Sequence, residues 1–272
     1  MLDPKRDIVF KLLLSAPGNE PLLAALIEAV VDLPAPIAGL TVLNPGVPRD
    51  LAAHKAIVLD VHVRCVDGTL LDIEMETHPR AVLPQRVLYY WSSLYAGHLQ
   101  RGVAYEHLRR TISIVWLDGT LSCLDGRFHS TFELAERWTH RRLTDQLELH
   151  FLALPSLDTS PTSEVAARLQ RWGRFFLAPD DRTIHALAAE DPIMSKAVTE
   201  LERLSRDPEA RMVIDTVERD RRFHEYEVRV GQEAARAEGR EEGRLELARA
   251  LVARGLPLAE VAQLTGFPVE RL

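Results

Sequence analysis

Between residues 57 and 76 the chain alternates apolar and polar side chains on both sides of one glycine, a pattern that fits little except a β-hairpin. The first run is Ile57-Val58-Leu59-Asp60-Val61-His62-Val63-Arg64-Cys65, and the second is Thr69-Leu70-Leu71-Asp72-Ile73-Glu74-Met75-Glu76. Val66-Asp67-Gly68 between them has the chemistry of a three-residue loop with glycine in the left-handed position. With that loop Cys65 pairs with Thr69, Asp60 with Glu74, and Val58 with Glu76. Directly opposed residues share a face, so Asp60, Glu74 and Glu76 converge. Like charges placed this way destabilise a sheet unless something cationic lies between them, and a divalent metal is the obvious candidate.

Two alternatives stand beside this reading. A two-residue Asp-Gly turn would set Asp60 opposite Met75, because a one-residue slip sends every side chain to the other face. A hairpin with one solvated face would carry the same alternation, Leu71, Ile73 and Met75 against Asp72, Glu74 and Glu76, with no function attached to the acids.

A chain of 272 residues buries a substantial core and makes one main domain plus an appendage. Its net charge of −7 argues against nucleic acid coating the whole surface, while leaving room for a local basic strip around an acidic site. Cys65 and Cys123 are too few for a disulfide framework and read as reduced thiols of a cytoplasmic protein. No membrane span is expected. The most apolar early stretch, residues 22–43, is broken by Glu28, Asp32, Pro34 and Pro36, and the start, Met-Leu-Asp-Pro-Lys-Arg-Asp, lacks a cleavable apolar signal.

Helical spacing covers residues 5–32, with an interruption at Pro17-Gly18, and residues 81–100, which carry aromatic residues. Residues 33–48 form a proline-rich connector with a short strand at 40–43; residues 111–117 and 147–154 read as further strands. Strands separated by helices in this order predict an α/β core with a mixed sheet. From Ser163 the pattern is helical and increasingly charged. The glycines at 239 and 243 in the run 231–249 each weaken a helix by about 1 kcal/mol relative to alanine, so a solvated or self-associating helix is expected there. Residues 251–272 have the outline of a helix-turn-helix, but too little chain follows Gly266 for a full recognition helix.

These pieces, taken in order, resemble the Rpn family of recombination-promoting nucleases and transposase-like proteins, within the PD-(D/E)XK nuclease superfamily. The resemblance is carried by Asp7-Ile8-Val9-Phe10-Lys11, Leu59-Asp60-Val61, Asp72-Ile73-Glu74-Met75-Glu76, Arg86 with Tyr89-Tyr90, the stretch 102–108, Leu147-Glu148-Leu149-His150-Phe151, and the Gly-Arg-Glu-Glu-Gly tail. It implies a mixed central β-sheet flanked by helices over residues 1–160, a helical extension over 161–230, and a charged helix with a helix-turn-helix-like tail over 231–272. It further implies a metal-dependent DNA endonuclease using Mg²⁺ or Mn²⁺, DNA as partner, and a link to recombination or mobile elements. A homo-oligomer formed through the C-terminal helices is expected as well.

Carried over residue by residue, the resemblance makes Asp60 the central metal ligand and Glu74 the second carboxylate. It puts Glu76 where the superfamily's acidic triplet has lysine and where the Rpn family commonly has glutamine. A lysine there would orient the attacking water and stabilise developing negative charge; glutamate cannot donate in that way, though it could hold a second ion or accept a proton. A catalytically degenerate fold that binds DNA or protein is therefore the alternative. Asp7 and Lys11, one helical turn apart, read either as an extra ligand and a phosphate contact or as an exposed ion pair. Gln85 with Tyr89, and Arg86 with Tyr90, form two parallel i,i+4 pairs that fit DNA contact. Aromatic residues at helical spacing also fit a core.

His62 and His78 lie near the acids without the spacing of a zinc site, and no phosphate-binding glycine loop, nucleophile elbow or dinucleotide fingerprint is present. The cluster Arg137-Trp138-Thr139-His140-Arg141-Arg142 reads either as a phosphate contact or as a solvated helix end.

Overall fold

Gly68 adopts φ +90° in the loop between the two runs, and it decides the register of the hairpin. The structure, a computed structural model, describes residues 1–33, 35–43, 61–97, 99, 102–158, 160–161 and 163–272. Strand β2 (Val61–Cys65) pairs antiparallel with β3 (Leu70–Glu76): Val61 stands opposite Ile73 and Val63 opposite Leu71, and the Cys65 N–H donates to the Thr69 carbonyl at 2.9 Å. The Asp67 carboxylate accepts from the Thr69 N–H at 2.8 Å and from its hydroxyl at 2.9 Å. The loop therefore has three residues, and the two-residue alternative is excluded.

The described residues build a six-stranded sheet in the order β1-β2-β3-β4-β6-β5, with β1 at Leu40–Val42, β4 at Thr111–Leu117, β5 at His129–Glu133 and β6 at Leu147–Ala153. β3, β4 and β6 run parallel and the remaining pairs are antiparallel, so the sheet is mixed, as the α/β reading expected. The parallel step from β3 to β4 needs a crossover, which helix α3 (Leu83–Gly97) supplies.

Register divides the sheet into two faces. Leu71, Ile73 and Met75 lie beside Ile112, Ile114 and Trp116; Asp72, Glu74 and Glu76 lie beside Ser113, Val115 and Leu117. The first face is covered by α1 (Asp7–Ser15) and α4 (Glu164–Leu177), where Phe176 stands 4.9 Å from Trp116 and 5.6 Å from Phe10, centroid to centroid. The second is covered by α3, whose Leu83 and Val87 pack with Val115, Leu117, Leu149 and Phe151. Helix α2 (Glu20–Val30) follows α1 after Gly18, which has φ +88°.

Two compact units follow from chain contacts, Met1–Ile214 and Asp215–Leu272. The boundary expected at 160/161 falls inside the first, because Trp172, Phe175 and Phe176 of α4 are part of its core. Helices α5 (Asp181–Ala188) and α6 (Pro192–Arg206) begin on Asp180 and Asp191, whose carboxylates accept from the N–H of Thr183 and Met194 at 2.8 and 2.9 Å. Helix α7 extends over Pro208–Ala253, passing through Gly239 and Gly243. In the second unit its end packs with α8 (Leu258–Thr265): Ala248, Val261 and Phe267 are buried, and the guanidinium groups of Arg244 and Arg271 lie 5.1 and 5.3 Å from the centre of the Phe267 ring. After Gly266, at φ +74°, comes a 3-10 turn over Val269–Arg271, and this tail closes a small core. Among the described residues no helix is long and apolar enough to cross a membrane.

Candidate functional site

β3 is a central strand, and this changes the status of its acids. Asp72 is 4 % and Glu74 6 % exposed, so the solvated-face alternative does not hold for them. A buried carboxylate stays charged only with a partner. The Arg86 guanidinium, reaching in from α3, lies 3.6 Å from Glu74 and hydrogen-bonds the Glu76 carboxylate. Burial alone would lower the pKa of Arg86, but the Glu76 hydrogen bond and the charges of Glu74 and Glu76 hold it above the ordinary guanidinium value. Glu76 also accepts from the His78 N–H at 3.2 Å. Asp72 has the His62 ring nitrogen 3.3 Å away on the same face.

Asp60 lies outside the described residues. The start of α1 is tied to the strand end that carries Glu76: Lys5 Nζ is 2.8 Å from the Asp118 carboxylate, and the Asp118 N–H donates to the Glu76 carbonyl at 3.0 Å. Asp7, in the first turn of α1, is partly buried, and Lys11 one turn on is 2 % exposed, so the exposed ion-pair alternative fails for it. On α3 the buried stripe is Leu83 and Val87, with Trp91 half-buried and donating to the Thr111 carbonyl at 2.8 Å. Gln85, Tyr89 and Tyr90 face outward, so the tyrosines are not core aromatics. The geometry thus gathers Glu74, Glu76 and Arg86 on one face, with Gln85, Tyr89 and Tyr90 on the outer surface of the same helix. Among the described residues no three histidine, cysteine or acidic groups form a cluster able to hold a metal. The Cys65 thiol, pushed up to about 11 by burial and then by Asp67, stays neutral.

This arrangement now has a family. A family model described as a PD-(D/E)XK nuclease family transposase matches residues 4–230. The chain belongs to that family. No curated protein and no solved structure matches it. The matched span takes in the six-stranded sheet and helices α1 to α6.

Sequence reasoning assigned no role to a second polar cluster, on the opposite sheet face and toward its far edge. Glu148 and His150 alternate on β6, with His150 Nε2 2.9 Å from the Glu148 carboxylate. His150 Nδ1 lies 2.9 Å from His129 Nε2 and 3.3 Å from the Thr131 hydroxyl, and Arg110 hydrogen-bonds Glu148 from the other side. Those bonds, His150 first, hold Glu148 down to about 2 against the opposing effect of burial. Burial and then the neighbouring His150 lower His129 to about 4, with Glu148 acting in the opposite sense. The signal was the Glu-x-His alternation within an apolar strand, but its partner His129 lies on a strand the pattern did not reveal.

The sign of the resulting pH dependence is fixed. Below pH 6.5 an unfolded His129 takes up a proton that the folded state refuses until about pH 4, so stability falls as pH drops through that window. His129→Gln is expected to flatten the acid limb between about pH 6.5 and 4 by on the order of 2–3 kcal/mol. Urea titrations across that range test it; parallel curves for both proteins would refute it.

Proposed function

We propose that the chain is a divalent-metal-dependent endonuclease acting on DNA phosphodiester bonds, in keeping with the transposase family to which it belongs. The observation that carries this reading is the hairpin register. Val61 pairs with Ile73, and a strand continued one residue further in that register would bring Asp60 to the buried Glu74, beside Glu76 and the Arg86 that bonds it. Carboxylate oxygens are the donor set for Mg²⁺ or Mn²⁺, and the nucleases of this superfamily generally use divalent metals. Asp60 and Glu74 would hold the ion together with a main-chain carbonyl near Met75, and Asp7 would join from the start of α1. The bound metal would supply Lewis acidity toward the scissile phosphate and its attacking water.

The residues around it have separable tasks. Arg86 brings positive charge to the position where the superfamily's triplet has lysine, which answers the absence of a cation at Glu76. Glu76, held by Arg86, can take the proton of the attacking water. Lys11 complements the negative charge of the transition state, and Gln85, Tyr89 and Tyr90 offer an outward surface to the DNA strand. The C-terminal helices are assigned to self-association, on the exposed Val230 and Leu247 of α7 and Leu264 of α8; light scattering of a chain ending near Arg229 would give an unchanged oligomeric state if that assignment is wrong.

The Arg86–Glu76 ion pair also favours a second reading, a degenerate nuclease fold that binds DNA without cutting it, because it occupies the side chain that would otherwise meet the water. Supercoiled plasmid incubated with Mg²⁺ or Mn²⁺ separates the two. The intact protein is expected to nick it and Asp60→Ala is expected not to. Equal nicking by both removes the catalytic assignment, and no cleavage with either metal selects the binding reading.

A further inference from the structure

The cluster Arg137–Arg142, read either as a phosphate contact or as a solvated helix end, lies in the tip of a β-hairpin that continues β5 over residues 133–143. Ala135 bridges Arg142, the Glu136 N–H donates to the Arg141 carbonyl at 2.9 Å, and the Leu143 N–H donates to the Leu134 carbonyl at 2.9 Å. The turn is closed by one side chain. The Glu136 carboxylate accepts from the N–H of Trp138 at 3.1 Å, from the N–H of Thr139 at 2.6 Å and from the Thr139 hydroxyl at 2.7 Å. His140 completes it at φ +54°, a left-handed position usually given to glycine or asparagine.

What this turn presents is unusual. Trp138 is 81 % exposed at its tip, between the exposed Arg137 and Arg141. The two acids within the arm are already engaged: Glu136 by the turn itself, and Glu133 by Arg142. Neither Arg137 nor Arg141 makes an ion pair among the described residues. In a chain of net charge −7, the tip is thus a preformed cationic and aromatic projection.

We propose that this tip binds single-stranded nucleic acid, with Trp138 stacking on an unpaired base and Arg137 and Arg141 meeting the adjacent phosphates. An exposed indole stacks on a base face of any sequence, and flanking guanidinium groups track the backbone. The turn pays little ordering entropy on binding, since Glu136 already fixes it. The proposal rests on the DNA reading of the preceding section and deepens it. Three strand positions across and about eight residues along the sheet separate the tip from Glu74. At about 4.8 Å per strand and 3.3 Å per residue, that is about 30 Å. The tip therefore meets a different stretch of the strand from the one at the acids, and it governs grip rather than chemistry.

The test is binding of a labelled oligothymidine by the full-length protein, followed by anisotropy and by tryptophan emission. Trp116 and Trp172 are buried and Trp91 half-buried, so Trp138 is the indole most open to a base. Oligothymidine is expected to quench part of the emission. Trp138→Ala is expected to abolish that quenching and to weaken binding about ten- to a hundred-fold, with Trp138→Phe in between. Arg137→Ala with Arg141→Ala should reduce the slope of log affinity against log salt by about 1.4. Unchanged affinity and quenching in Trp138→Ala overturn the proposal, as does equal quenching by polyglutamate, which would assign the tip to an acidic peptide. The two readings fail separately. Plasmid nicking lost in Asp60→Ala with oligothymidine binding intact supports both, whereas nicking and binding both unaffected by Trp138→Ala removes the tip alone.

Discussion

Replacing Glu74 by glutamine is expected to reduce DNA cleavage by at least about a hundred-fold while leaving the melting temperature nearly unchanged. The two halves of that expectation come from different physics. Glutamine has the shape of glutamate, so the packing of β3 against α3 is kept and no cavity opens. Arg86 keeps its hydrogen bond to Glu76, so the substitution strands no cation. Glu74 is 6 % exposed, and removing its charge also relieves a desolvation penalty, which offsets the lost interaction with Arg86. Catalysis has no such compensation. An amide is a much weaker ligand than a carboxylate for a hard divalent cation, and a lost electrostatic contact at the reacting phosphate is worth about 3 kcal/mol, or about a hundred-fold. Mn²⁺ titration by calorimetry supplies a readout independent of turnover and should weaken in parallel. Full nicking activity in Glu74→Gln would exclude Glu74 as a ligand; a large fall in melting temperature would show that its role is structural.

How far the sequence carried depended on whether the deciding physics was local. The hairpin loop was readable because glycine, flanked by Asp67 and Thr69, satisfies a backbone condition within a few residues. β4 was readable because Thr111–Leu117 is apolar but for Thr111 and Ser113, and every one of its residues is buried. The status of the acids on β3 was not. Period-two alternation says which side chains share a face, but what covers that face comes from α3, brought over by a crossover, and the covering turned a charged surface into a desolvated centre held by Arg86. The tyrosines of α3 show the converse. Their spacing fits a core, yet the stripe Leu83, Val87 and Trp91 takes that role and turns Tyr89 and Tyr90 outward. β5 and the hairpin form of the Arg137–Arg142 cluster were not legible because the edge strand His129–Glu133 has Phe132 as its single apolar residue, and because its turn is closed by Glu136 and His140 rather than by glycine or asparagine. Asp60, outside the described residues, rests on the register and the family alone.

The second large effect concerns stability. Phe176→Ala is expected to destabilise the first unit by about 3–5 kcal/mol, a large fraction of the stability of an ordinary domain. Phe176 is fully buried and meets four aromatic rings: Phe10 of α1 at 5.6 Å, Trp116 of β4 at 4.9 Å, and Trp172 and Phe175 of its own helix at 6.0 and 5.6 Å. Deleting the ring leaves a void between elements from the beginning, middle and later part of the chain, and rigid helices on a sheet do not close over it. The same contact holds α1 against the sheet, and α1 carries Asp7 and Lys11. Thermal melts and urea midpoints should therefore fall sharply for Phe176→Ala, with a smaller fall for Phe176→Leu, which keeps much of the volume. Losing the contact with Phe10 should loosen α1 before the sheet unfolds, so nicking is expected to weaken below the melting transition, at temperatures where far-ultraviolet circular dichroism is still native. A destabilisation of less than about 1 kcal/mol would mean that α4 is not an integral layer of the core.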